Sequence, residues 1–172
     1  MITITGGKKI YSIMRKQILL IIFPLLFLAP TPGVGNDDVT GKAIAIDGDT
    51  LRIGSMEIGL YGIDAPELMQ TCKTRKGKLQ QCGDLARQSL AGLIRGRKIV
   101  CEGLRPGPEG YPTALCFIGP ININENMVAD GWAMADPREG KEFVRAETFA
   151  KRRQEGLWRG TFQAPWEWRL KN

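Results

Sequence analysis

The 172 residues suit one compact domain and leave no comfortable room for two. A net charge of +6 would by itself suggest a nucleic-acid partner, but four basic groups and no acidic ones lie in residues 1–35. Residues 36–172 carry only +2, so composition does not single out a polyanion binder.

The first segment is set apart from the rest. Lys8, Lys9, Arg15 and Lys16 precede an apolar run from Ile18 to Leu28, interrupted by Pro24, and Ala29-Pro30-Thr31-Pro32-Gly33 follows. A basic start, a short apolar stretch and a small-residue exit form the pattern of a secretory signal. A membrane-spanning helix needs about 20 apolar residues, and this run is shorter. The expected organisation is a signal peptide over 1–35 and one folded domain over 36–172. The expected product is periplasmic or secreted, monomeric, and without stable membrane insertion.

From Val39 to Ile63 apolar residues alternate with others and Gly48, Gly54 and Gly62 punctuate, which predicts short strands with tight turns. Met69 to Gln81 is polar and basic and reads as a loop. Asp84 to Ile94 reads as a helix with Leu85, Leu90, Leu93 and Ile94 on one face and Gly96 as its stop. Lys98–Cys101 and Ala114–Ile118 read as strands flanking a Pro/Gly-rich loop from Arg105 to Pro112. Asn122 precedes a short helix with Glu125 in capping-box spacing, Met127 and Val128 inward, and Gly131 at its end. Glu139–Glu155 is the longest helix expected, with Phe143, Ala146 and Ala150 inward and Glu147 paired to Lys151. Lys151-Arg152-Arg153 reads as a solvated face. The tail, Trp158 and Pro165-Trp166-Glu167-Trp168, reads as aromatic cover for the core.

Four cysteines, Cys72, Cys82, Cys101 and Cys116, all lie in the folded part. An even count in an exported domain suggests disulfides, with three possible connectivities. The favoured pairing is Cys72–Cys82, stapling the polar loop, and Cys101–Cys116, joining two strands. Zinc is disfavoured because the chain has no His and no C-x-x-C pair.

The chemistry-bearing residues are acidic. Asp47-Gly48-Asp49-Thr50 sits between strand-like segments, and Asp64-Ala65-Pro66-Glu67 follows after the next strands. A hairpin between them brings both acidic turns to one end. Carboxylates gathered this way repel and ask for a cation, and oxygen-only ligands suit a hard ion such as Ca²⁺. The structural alternative is that D-G-D-T is only a turn whose Asp caps local N–H groups.

D-G-D-T-L followed by L-Y-G-I-D-A-P-E resembles the staphylococcal-nuclease-like family, in an exported four-cysteine bacterial form. The likeness continues through Cys82-Gly83, Tyr111, Asn122, Gly131-Trp132-Ala133, Gly156-Leu157-Trp158 and Pro-Trp-Glu-Trp-Arg. The resemblance implies an α+β fold, a five-stranded OB-type β-barrel with about three helices. It implies Ca²⁺-dependent hydrolysis of phosphodiesters in DNA and RNA. Asp49 and Asp64 match metal-binding carboxylates, and Ala65 matches a position that offers its backbone carbonyl. Glu67 matches the carboxylate that orients or deprotonates the attacking water. Asp47 and Thr50 support these residues, and Tyr111 matches an aromatic beside the nucleotide.

Two positions depart from that pattern. The family's phosphate-clamping arginines would fall at Gly59 and Thr113, and neither is basic. Arg52 and Arg105 are the candidates for replacing them. Two functions therefore stand side by side: a nuclease of reduced or altered activity, and a non-catalytic OB-type module that binds nucleic acid or another anionic partner.

Overall fold

The computed structural model describes residues 2–3 and 38–172, and every element below belongs to one unit within Val34–Asn172. The proposed signal segment lies outside the described residues. Among those described, no helix is long and apolar enough to cross a membrane.

The core is a closed five-stranded barrel. Strands β1 (Val39–Ala45), β2 (Thr50–Ile53) and β3 (Met56–Leu60) form an antiparallel meander. Between the short β4 (Ile63–Asp64) and α1 (Cys82–Ile94) stands a hairpin of β5 (Thr71–Lys73) and β6 (Leu79–Gln81). β7 (Lys98–Pro106) pairs with β1, and β8 (Pro112–Ile118) pairs with β7. The barrel closes where β8 meets β3 in parallel, Gly59 opposite Thr113 and Leu60 opposite Ala114. β9 (Ile121–Asn122) extends β8, α2 (Ile123–Ala129) follows, and β10 (Met134–Ala135) pairs with β4. The chain ends in α3 (Val144–Arg153) and α4 (Pro165–Arg169). The expected α+β fold, a five-stranded OB-type barrel with three helices of at least seven residues, is what the chain adopts.

Leu51, Ile58, Ile99, Ile123 and Met127 are fully buried at the centre. Removing such side chains from water is the main favourable term in folding, about 1.5–3 kcal/mol each. The tight β2–β3 hairpin turns through Gly54, whose φ of +61° few other residues adopt without strain.

Several expectations change in detail. The buried face of α1 is Cys82, Ala86, Leu90 and Ile94, a strict four-residue stripe, with Leu85 and Leu93 at its flanks. The polar stretch expected as a loop contains β5 and β6. It carries no apolar period because it stands outside the core, held by backbone pairing and the Cys72–Cys82 disulfide. β7 runs on to Pro106, with an irregular register between Glu102 and Arg105. The long helix expected from Glu139 begins later, after a 3-10 turn at Lys141–Phe143, and stops where Gln154 turns left-handed at φ 55°. Phe143, Ala146 and Ala150 are buried as expected, and Lys151 meets Glu147 at 2.6 Å. Asn122 caps α2 by accepting the N–H of Glu125 at 3.1 Å.

Both favoured disulfides are present. Cys101 and Cys116 are register partners on β7 and β8. Cys72–Cys82 ties the hairpin to the start of α1. Two disulfides suit a protein that matures in an oxidising compartment.

Candidate active site

The two acidic turns meet because β2 and β3 return the chain to one end of the barrel. Within the first turn, the residues divide the work. Asp47 is turn chemistry: its Oδ1 accepts the N–H groups of Asp49 at 3.0 Å and Thr50 at 2.6 Å. Asp49 instead reaches across, its Oδ2 accepting the N–H of Ala65 at 2.6 Å. Gly48 lets this happen. A Cβ there would lie 2.6 Å from the Ala65 methyl and 2.7 Å from that of Ala86, so only glycine lets the first turn press against the second and against α1.

Asp49 forms no ion pair among the described residues. Desolvation, then the charges of Asp47 and Asp64, push its carboxyl well above the usual range. Asp64, on β4, is buried, and burial raises its carboxyl as well, against the opposing pull of Arg169.

Arg169, at the end of α4, engages both acids of the second turn. It donates to Asp64 through Nη1 at 2.9 Å and Nη2 at 2.6 Å, and to Glu67 through Nη1 at 2.7 Å. These bonds hold the guanidinium firmly in its charged form. Next to it, Arg138 forks onto Asp136 at 3.1 and 2.7 Å. A small cavity of about 60 Å³ is bounded by Asp49, Asp64, Gly59, Thr113, Arg138 and Arg169, with Tyr111 also on its wall. The Tyr111 hydroxyl lies 3.2 Å from Thr50 Oγ1 and donates to Glu109.

Glu67 is placed by a residue that the acidic motif does not contain. The fully buried Gln70 accepts the Glu67 N–H at Oε1, 3.2 Å, and donates from Nε2 to the Gln163 carbonyl at 2.7 Å. The same side chain thus fixes the second acidic turn and the segment leading into α4.

A second surface has the opposite charge. A groove of about 720 Å³ runs between the β5–β6 hairpin and the end of α3, lined by Arg75, Lys76, Lys78, Arg153, Arg159 and Trp132, with no carboxylate on its walls. Glu155, bonded to Arg159 at 2.9 Å and 3.6 Å from Arg153, offsets part of it.

Residues 57–160 match the family model described as staphylococcal nuclease homologue. The chain belongs to the staphylococcal nuclease homologue family. Relatives of this nuclease homologue include protein ParB of Escherichia coli, 30% identical over 151 residues, covering 77% of this chain and 80% of that protein. A succinoglycan biosynthesis protein, ExoI, of Rhizobium meliloti (strain 1021) is 29% identical, covering 72% of this chain and 66% of its own. A probable staphylococcal-like nuclease, CAN3, of Oryza sativa subsp. japonica is 28% identical over 77% of this chain, which spans only 33% of the plant protein.

In this nuclease homologue, Gly59 and Thr113 lie side by side across the parallel β3–β8 closure, on the wall of the acidic cavity. Arg52 and Arg105, the candidates for replacing the missing arginines, do not line it. Arg52 pairs with Glu57 at 3.6 Å on the exposed face of the hairpin. Arg105 lies over the Tyr61 ring, 3.8 Å from its centroid, and donates to the Gly103 carbonyl. The guanidiniums that do line the cavity, Arg138 and Arg169, come from later in the chain. Arg169 had been visible only as the end of an aromatic tail string, and no local spacing links it to acids over 100 residues earlier.

The residues expected to hold an ion, Asp49, Asp64 and the Ala65 carbonyl, offer oxygen alone, the kind of donor calcium takes. Among the described residues, no three His, Cys, Asp or Glu side chains gather closely enough to hold an ion by themselves. Arg169 already takes both oxygens of Asp64.

Proposed function

We propose that the domain hydrolyses phosphodiester bonds of nucleic acid with the help of Ca²⁺, at the cavity between the two acidic turns. The observation that carries this reading is that Asp49 and Asp64 line one cavity with the Arg169 guanidinium, which also bonds Glu67. Asp49, Asp64 and the Ala65 carbonyl are the groups that would hold the ion. When bound, the ion would polarise a phosphoryl oxygen and offset its charge. Glu67, one-third exposed, has the access to accept a proton from water that Asp64 lacks. Tyr111 flanks the cavity where a nucleotide would lie, and Asp47 and Thr50 hold the Asp49 turn. The basic groove supports a polyanionic substrate. With the segment over 1–35 read as a signal, the mature domain is periplasmic or secreted and acts as a monomer.

Incubation of the purified protein with single-stranded DNA and Ca²⁺ tests this. Cleavage is expected in wild type, lost on chelation and reduced at least 10²-fold in Glu67→Gln, the usual effect of losing a placed catalytic group. One observation favours the non-catalytic reading: both clamp positions are small. If wild type is inert and Gly59→Arg with Thr113→Arg restores cleavage, that module is the correct reading. A Gly59 side chain must displace the Thr113 methyl, 3.0 Å from its Cβ, so the two changes have to be made together.

A further inference from the structure

We propose that Arg169 works in two positions: it holds Asp64 and Glu67 while no metal is bound, and yields them to the metal and turns onto the phosphodiester when substrate and ion arrive. This rests on the hydrolytic reading above and assigns the phosphate clamp that Gly59 and Thr113 leave empty.

The first position is the one seen. One guanidinium contacts both the carboxylate assigned to the metal and the carboxylate assigned to water, using three hydrogen bonds. A divalent ion on Asp64 would face a fixed positive charge at bonding distance from the same oxygens, so the two cations compete.

The partners differ in freedom. Asp64 is only 7% exposed and sits on β4, locked to Met134 of β10. Arg169 is 36% exposed on the last turn of a five-residue helix. Arginine has several rotatable bonds, and its head enters from the solvent edge. The arginine is therefore the part that moves.

The second position is defined by space. Gly59 and Thr113 lie on the wall of the same cavity that Arg169 borders, and neither places a cation there. A phosphate in that cavity would face Arg169, which lines it together with Gly59 and Thr113. Arg138 makes its two side-chain bonds to the buried Asp136 and none to Asp64 or Glu67, so an ion on those acids would not displace it. A planar guanidinium suits two phosphoryl oxygens at once.

Calorimetric titration separates this from a merely structural ion pair. The probes are Ca²⁺ alone, and a dinucleotide with a non-hydrolysable phosphorothioate linkage at saturating Ca²⁺. Arg169→Gln is expected to bind Ca²⁺ at least tenfold tighter and the dinucleotide at least tenfold weaker, and Arg169→Lys is expected to shift both in the same directions by less. Opposite signs are the mark of the exchange. Weakening of both, or an unchanged Ca²⁺ affinity, overturns it. If Arg169→Gln fails to fold, the lysine variant carries the same test. Opposite shifts in a protein that cleaves no DNA would remove the hydrolytic reading and leave the exchange standing. Cleavage without opposite shifts would remove only the exchange.

Discussion

The side-chain amide of Gln70 donates to the backbone carbonyl of Gln163 at 2.7 Å, across 93 residues of chain. It is completely buried, and its other end accepts the N–H of Glu67. A buried donor or acceptor stripped of its partner costs about 1–3 kcal/mol. Gln70→Leu is expected to lower the unfolding free energy by about that amount. It is also expected to loosen Glu67 and α4 together. Chemical denaturation measures the first effect, and hydrogen exchange at Glu67 and in Pro165–Arg169 measures the second. Faster exchange in only one of the two segments would show that Gln70 does not link them.

The basic groove makes a prediction about salt. Each phosphate contact made by Lys or Arg releases counterions, about 0.7 per contact for a single strand. Replacing Arg75, Lys76 and Lys78 with Glu is expected to weaken binding of a labelled single-stranded oligonucleotide and to flatten its dependence on log salt by about two units. Fluorescence anisotropy in the presence of a chelator, so that no cleavage occurs, reads both. An unchanged slope would place the strand elsewhere.

Cys101 and Cys116 close a loop with a sequence separation of 15 across paired strands. Loop closure of this length contributes about 3 kcal/mol through the unfolded state. The double variant Cys101→Ala, Cys116→Ala is expected to lose about 2–4 kcal/mol. Urea titration of the two oxidised proteins measures the difference. A loss below 1 kcal/mol would show that strand pairing alone holds this edge of the barrel.

Asp130, at the end of α2, is exposed, yet desolvation of its carboxyl and then the charge of Glu155 raise its pKa. A raised acid binds more protons in the folded state than in the unfolded one. Its ionisation therefore costs stability as pH rises from the unfolded value, about 3.9, through the folded one. Asp130→Asn is expected to raise the melting temperature at pH 7 and to lose that advantage below about pH 3.9. A difference from wild type that is the same at both pH values would show that folding does not raise the Asp130 carboxyl.

Local chemistry explains what was readable in advance. The barrel strands carry alternating or fully buried apolar residues, and α2 carries its own cap, so each could be placed from its own segment. The acidic turns were readable because Gly48 and Ala65 are the residues that a close approach requires. The β5–β6 hairpin was not, because backbone pairing and a disulfide hold it and neither leaves a hydrophobic period. Within the acidic turn, the capping alternative describes Asp47, which accepts two local N–H groups, whereas Asp49 reaches across to the Ala65 N–H. Arg169 and Gln70 stayed hidden for another reason. Their partners are set by how the C-terminal segment folds back on the barrel, and no short window of sequence contains both halves of those contacts.

Synthesis of this chain has a direction, and the Arg169–Asp64 bond spans 105 positions of it. The carboxylates of Asp64 and Glu67 leave the ribosome long before the guanidinium that meets them. Until Arg169 is made, a nascent barrel would present Asp64 and Glu67 without that partner. A chain stopped after Trp168 would keep every barrel strand yet never complete the pocket.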